Sequence, residues 1–317
     1  MTGFEGAEPS DEFLEFIAGE NIGGVILFEE NCNPHSLAES SIKKIYSAAG
    51  SPIFIGVDQE GGRVCRFRGA PVEYEAPSQY AQRNDIELFS EHYSRAAYYL
   101  ASLGVNLIFG PVADLGINPD NACLAGRTFG NNPARAIPFI EKAVRISSRA
   151  GLVSCLKHFP GFGAAKNDPH QMLAEADYDF QTFVNREALT FKAGIGVGAD
   201  MIMTTHMTLP SVDKWPATIS AKLLKELLRD TLEFDGIAIT DDLLMAGAEN
   251  FGNYGERAFK AFEAGHDMLL FGRNFKATQI ALKHFKEACS GGTISRSRVE
   301  SSIERISGIK SKVTVPA

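Results

Sequence analysis

Cysteine is sparse and unpatterned in this chain. The five residues Cys32, Cys65, Cys123, Cys155 and Cys289 are scattered, and none forms a C-x-x-C pair. A zinc ribbon or disulfide framework is therefore not expected, and reduced thiols in a cytosolic setting are the default. No apolar run approaches the length of a membrane span. Positive charge is not in excess. The formal net charge is −8, which argues against a nucleic-acid footprint. No G-x-G-x-x-G follows an early strand candidate, which weakens a dinucleotide-binding open sheet. Linkers, low-complexity tracts and sequence repeats are also missing.

What is present is ordinary globular composition, with 317 residues, 44% of them apolar and 22% charged. That length suits one large domain and can bury a full core. Short apolar runs alternate with longer helical patterns. Strand candidates cover 25–28, 52–58, 106–113, 152–158, 201–206, 236–241 and 268–271, and the opening stretch Met1 to Gly3 makes an eighth. The runs are too continuous for half-exposed strands and suggest a parallel sheet covered on both faces. A helix is expected over 90–103 with Gly104 as C-cap, and another over 221–232 with Ser220 as N-cap. Eightfold strand-helix alternation predicts an α/β fold, a single-domain (β/α)8 TIM barrel spanning 1–317. The first residues read like the end of a buried strand, so a short N-terminal segment is expected to be missing. A missing leader would leave the compartment open, with the cytoplasm as the default and a secreted or lipoprotein form as the alternative.

Polar residues fall where such a barrel places its active face, at the C-terminal ends of the strands: Asp58, Asp114, Lys157-His158, His206 and Asp241-Asp242. Each has a bland reading as a helix cap or satisfied core group. Five coincidences together are much less probable than one.

Four stretches carry candidate chemistry. In Asp168-Pro169-His170, residues i and i+2 project to one side, so the carboxylate can orient the imidazole and raise its basicity for proton transfer. The alternative is a solvated loop histidine. Lys157 can hydrogen-bond a hydroxylated ligand, form a Schiff base, or snorkel to the rim. Gly161 and Gly163 suggest a flexible loop that carries His170 to the mouth. In Asp241-Asp242, a persisting strand sends the two carboxylates in opposite directions, so one faces the mouth and the other is a helix-cap candidate. After Asp58 comes a Gly61-Gly62 turn and then Arg63, Arg66 and Arg68, which suit a polar or anionic ligand.

These stretches resemble one family, glycoside hydrolase family 3, and within it the single-domain β-N-acetylhexosaminidases. The resemblance runs nearly end to end. It rests on GGVILFEEN (23–31), VDQEGGRVCRF (57–67), GVNLIFGPVADL (104–115) and GRTFG (126–130), then LKHFPGFGAAKNDPH (156–170), PATIS (216–220) and GIAITDDLLMAGA (236–248). It implies that Asp241 is the nucleophile of a retaining mechanism and His170, oriented by Asp168, the general acid/base. By the same resemblance Asp58, Arg66, Arg127, Lys157 and His158 hold a terminal N-acetylglucosamine. Phe162 and Pro169 depart from the family pattern, which has histidine and serine there, and Cys65 replaces a commonly polar residue.

The resemblance implies an exo-acting β-N-acetylglucosaminidase that acts on cell-wall fragments and uses no cofactor or metal. Its expected partner is a carbohydrate, with no nucleic acid and no membrane span. Three competitors are a glycoside phosphorylase of the same chemistry, a Schiff-base aldolase built on Lys157, and a metal hydrolase using His158, His170, Asp58 and Asp241. A non-catalytic sugar-binding barrel is the last.

Overall fold

The computed structural model describes residues 1–168 and 171–313. Its main sheet has seven strands, all pairing in parallel: β1 (Gly24–Leu27), β2 (Phe54–Val57), β3 (Leu107–Ile108), β4 (Val153–Phe159), β5 (Met201–Thr204), β6 (Ile237–Asp242) and β7 (Met268–Leu270). The opening stretch supplies the closure. Thr2 bridges Val25 on one side and Phe271 on the other, both in parallel, so the first and last strands join. The Thr2 N–H donates to Gly24 O at 3.1 Å, and Phe271 N–H donates to Met1 O at 3.0 Å. A helix follows each strand, giving the expected barrel.

Alternation along the strands explains the two cores. Side chains of one parity fill the barrel interior: Ile26, Phe54, Leu107, Val153, Met201, Met203, Ile237, Ile239 and Leu270. Those of the other parity, such as Val25, Leu27, Ile55, Val57, Leu156 and Ile202, pack under the outer helices. Gly56 makes room for the interior layer. A Cβ there would lie 2.7 Å from the Phe109 ring.

Two boundaries differ from the sequence expectation. The expected strand at 106–113 is regular only over Leu107–Ile108. Pro111 lacks an N–H and breaks the ladder, although Val112 rejoins it by bridging Lys157. The helix expected over 90–103 begins earlier, at Ile86, because the Asp85 side chain caps it by accepting from Leu88 N–H at 3.0 Å. Ser220 does cap the 221–232 helix, accepting from Leu223 N–H at 3.0 Å, but Leu223–Thr231 is wound as a π-helix. No helix among the described residues is long and apolar enough to cross a membrane.

Candidate active site

A cavity of about 500 Å³ opens at the C-terminal ends of the strands. Asp58, Arg66, Arg127, Lys157, His158, Asp168 and Asp241 all border it. His170 lies outside the described residues.

The wall after β2 is built by alternation. Asp58 and Glu60 are two residues apart and both face the cavity. Gln59, between them, turns the other way. Its amide donates to Phe67 O at 3.1 Å and Val72 O at 3.2 Å, and its Oε1 accepts from the N–H groups of Arg66 (3.0 Å) and Phe67 (3.1 Å). That clamp holds the arginine loop against the strand. Arg66 then reaches Asp58 at 3.3 Å.

Glu60 is the hub of the charge cluster. Its carboxylate takes Arg127 at two points, Nε at 2.7 Å and Nη2 at 2.8 Å, and Lys157 Nζ lies 2.6 Å from Oε1. Lys157 Nζ is also 2.6 Å from Asp58 Oδ1. Burial alone would raise the Glu60 carboxyl, but Arg127 and Lys157 outweigh it and hold it well below the ordinary range. Asp58 behaves likewise: burial raises it, while Lys157 and Arg66 together bring it below its usual value. For Lys157, burial favours the neutral amine, and the two carboxylates outweigh that and hold the ammonium above the usual lysine value. A Schiff base needs the free amine, so this environment disfavours the aldolase reading. Lys157 is 2% exposed, so it does not snorkel to the rim.

His158 is fixed by Asp114, at the end of the β3 segment. Its Nδ1 lies 2.6 Å from Asp114 Oδ2, which also accepts the His158 backbone N–H at 3.0 Å. Its Nε2 faces Arg127 Nη2 at 3.3 Å. Arginine only donates, so Nε2 is the acceptor and the proton sits on Nδ1, toward the carboxylate. Phe162 stands edge-on to the imidazole, with ring centroids 5.0 Å apart, and is itself buried. The departure at Phe162 is thus a packing wall for His158.

The loop that follows is anchored at its start, contrary to the flexibility expected from its glycines. Phe162 N–H donates to Asp114 Oδ1 at 3.0 Å, and Asn121 donates to Phe162 O at 3.0 Å. Gly163 serves close approach: a Cβ there would sit 1.5 Å from Leu115 O. Beyond the loop, Ala174–Glu175 pairs with Met207–Thr208. Asp168 borders the cavity.

Both members of the Asp241-Asp242 pair border the cavity, where alternation predicted one. The pairing of β6 with β7 shifts register between Ile239 and Asp242, which breaks the alternation. Their surroundings differ. Asp242 Oδ1 accepts from Gly272 N–H at 2.8 Å and Leu244 N–H at 3.0 Å, so it holds the turn. Asp241 Oδ1 accepts the neighbouring Asp242 N–H at 2.8 Å. His206 is buried between Thr218 (2.6 Å) and the Asp242 carbonyl (2.9 Å), a supporting position.

Glu60 was not singled out from the sequence, although its i+2 spacing from Asp58 carries the signal. The partnership of Asp114 with His158 had no local signal, because the two are 44 residues apart. Among the described residues, no three or more His, Cys, Asp or Glu side chains are grouped to hold a metal ion. His158 is committed to Asp114 and Arg127, and Asp58 to Lys157 and Arg66.

A closed parallel barrel with paired carboxylates and cations at its strand ends defines an α/β-barrel enzyme of the polar-ligand type. The particular family follows from comparison. Residues 3–309 match the glycosyl hydrolase family 3 N terminal domain, and the chain belongs to that family. A β-hexosaminidase of Vibrio cholerae serotype O1 is 38% identical over 270 residues, covering 84% of this chain and 79% of that protein. A β-hexosaminidase of Glaesserella parasuis is 34% identical over 271 residues, 85% of this chain and 78% of its own. The structure of a family 3 β-N-acetylglucosaminidase from Paenibacillus sp. superposes with a TM-score of 0.93 at 31% identity. That match covers all of this chain and 63% of the other, so the chain spans under two thirds of that protein.

Proposed function

We propose that the chain is an exo-acting, retaining β-N-acetylglucosaminidase that removes terminal N-acetylglucosamine from cell-wall fragments. The observation that carries this reading is the juxtaposition, in one cavity, of a strand-end carboxylate at Asp241 with the Asp58–Glu60–Lys157–Arg127–His158 cluster. The β-hexosaminidase relatives and the β-N-acetylglucosaminidase neighbour support the sugar class.

In this mechanism the cluster holds the sugar hydroxyls through charge-assisted hydrogen bonds. Asp241 attacks the anomeric carbon and forms a glycosyl ester as the bond to the leaving oxygen breaks. His170, oriented by Asp168, gives that oxygen a proton. Water, deprotonated by the same imidazole, then attacks the anomeric carbon, and its bond to the Asp241 carboxylate breaks to free Asp241. Asp242 keeps the turn beside the nucleophile, and Asp114 keeps His158 in its tautomer.

The test is turnover of 4-nitrophenyl N-acetyl-β-D-glucosaminide with and without inorganic phosphate. Free N-acetylglucosamine at a phosphate-independent rate is expected. A sugar phosphate as main product would make the enzyme a phosphorylase, and no turnover would overturn the reading.

A further inference from the structure

Three arginines follow the Gly61-Gly62 turn, and the sugar-holding cluster uses only one of them. Arg66 pairs with Asp58, while Arg68 lies 3.5 Å from both Glu29 and Glu73. Arg63 reaches across the rim to a single 3-10 turn, Ala122–Leu124. Its Nε donates to Ala125 O at 3.1 Å, and its Nη2 donates to Ala122 O at 3.0 Å and to Cys123 O. Carbonyls at the end of a helical turn have few partners within it, and one guanidinium serves three of them here. The stretch that presents Arg63 is itself braced. Gly62 N–H donates to Tyr74 O at 2.8 Å, and Arg68 donates to the carbonyls of Gly62 and Arg63, each at 3.4 Å.

The turn matters because Arg127 is tied to it. Arg127 N–H donates to Leu124 O at 2.9 Å, and Arg127 Nη1 donates to Cys123 O at 3.1 Å. Two guanidiniums therefore share the Cys123 carbonyl, one on the rim and one in the sugar-holding cluster. Glu60 orients the Arg127 guanidinium from its other edge, and the carbonyl gives Nη1 a separate anchor.

We propose that Arg63 is a positioning residue: it fixes the Cys123 carbonyl that anchors Arg127, and so keeps the Arg127 guanidinium in place for the sugar. The inference rests on the reading of the Arg127 cluster as the holder of the terminal sugar. Arg63 also borders the cavity, so direct contact with the sugar is the competing role.

The experiment measures N-acetylglucosamine affinity by titration calorimetry, which is independent of turnover. It compares wild type, Arg63→Ala, Arg63→Lys, Arg127→Ala and the double variant Arg63→Ala/Arg127→Ala. Arg63→Ala should weaken binding about tenfold, the scale of a lost charge-assisted hydrogen bond. Arg63→Lys keeps the charge but not the fork that spans three carbonyls, so its loss should be intermediate. Ethylguanidinium added to Arg63→Ala should restore part of the affinity, and ethylammonium at the same concentration should restore less. The double variant should bind no more weakly than Arg127→Ala alone, because both changes remove one function. Additive losses in the double variant would give Arg63 its own contact with the sugar and overturn the proposal. If Arg127→Ala weakens binding and neither Arg63 variant does, the inference about Arg63 fails and the sugar-holding reading stands. Unchanged affinity in Arg127→Ala would sink that reading, and the inference with it.

Discussion

Glu60 and Arg127 meet as a two-point ion pair, with Nε 2.7 Å from Oε2 and Nη2 2.8 Å from Oε1, and both side chains are buried. Lys157 shares the same Oε1. One carboxylate therefore balances two cations in the cavity wall, with Asp58 as the second anion. Removing it leaves buried positive charge without its partner, the more damaging way to break such a pair. Glu60→Ala should lower unfolding stability by about 3–5 kcal/mol, measured by urea denaturation. A loss under about 1 kcal/mol, typical of exposed pairs, would show that solvent already screens the cluster.

The same cluster sets an acid limit. Asp58 and Glu60 are held below their ordinary values in the folded chain. A depressed folded value contributes stability above the unfolded value and loses it as pH falls. That stability is therefore whole above roughly pH 5 and fades below about pH 4, where free carboxyls take up protons. Glu60→Gln should flatten the acid side of a plot of melting temperature against pH. An unchanged acid slope in that variant would place the titration elsewhere.

Asp241 and Asp242 are neighbours with different surroundings, and substitution should separate them. Asp241→Asn should fold and lose activity by several orders of magnitude, because the covalent route is closed. Asp242→Asn should lose stability first, since its carboxylate accepts two backbone N–H groups. A 2-fluoro or 5-fluoro sugar should label Asp241, and peptide mapping that finds the label on Asp242 would reverse the assignment.

Leaving-group dependence isolates proton transfer. His170→Ala should lose about 10²–10⁴-fold on a disaccharide and much less on a nitrophenyl glycoside. Asp168→Asn should show the same pattern more mildly. Equal losses on both substrates would mean that His170 binds sugar and moves no proton.

Much of this was legible in the chain itself. Short, continuous apolar runs marked the barrel strands, and even the three-residue opening stretch proved to be a closing one, because Thr2 bridges both edges. Strand-end position marked Asp58, Lys157, His158 and Asp241. What could not be read were relationships that only closure creates. Asp114 meets His158, and Glu60 meets Arg127, across 44 and 67 residues. The register shift that brings Asp242 beside Asp241 leaves no residue signature in the strand. Gly163 looked like a hinge because glycine permits motion and close approach alike; the Leu115 carbonyl decides for the second.

The most direct test of the central claim is proton NMR of the anomeric signals during early hydrolysis of an aryl N-acetyl-β-D-glucosaminide. A covalent intermediate at Asp241, formed and broken with inversion at each step, predicts that β-N-acetylglucosamine appears first and the α anomer grows in only by mutarotation. The α anomer as first product, or no release of N-acetylglucosamine, would contradict the account.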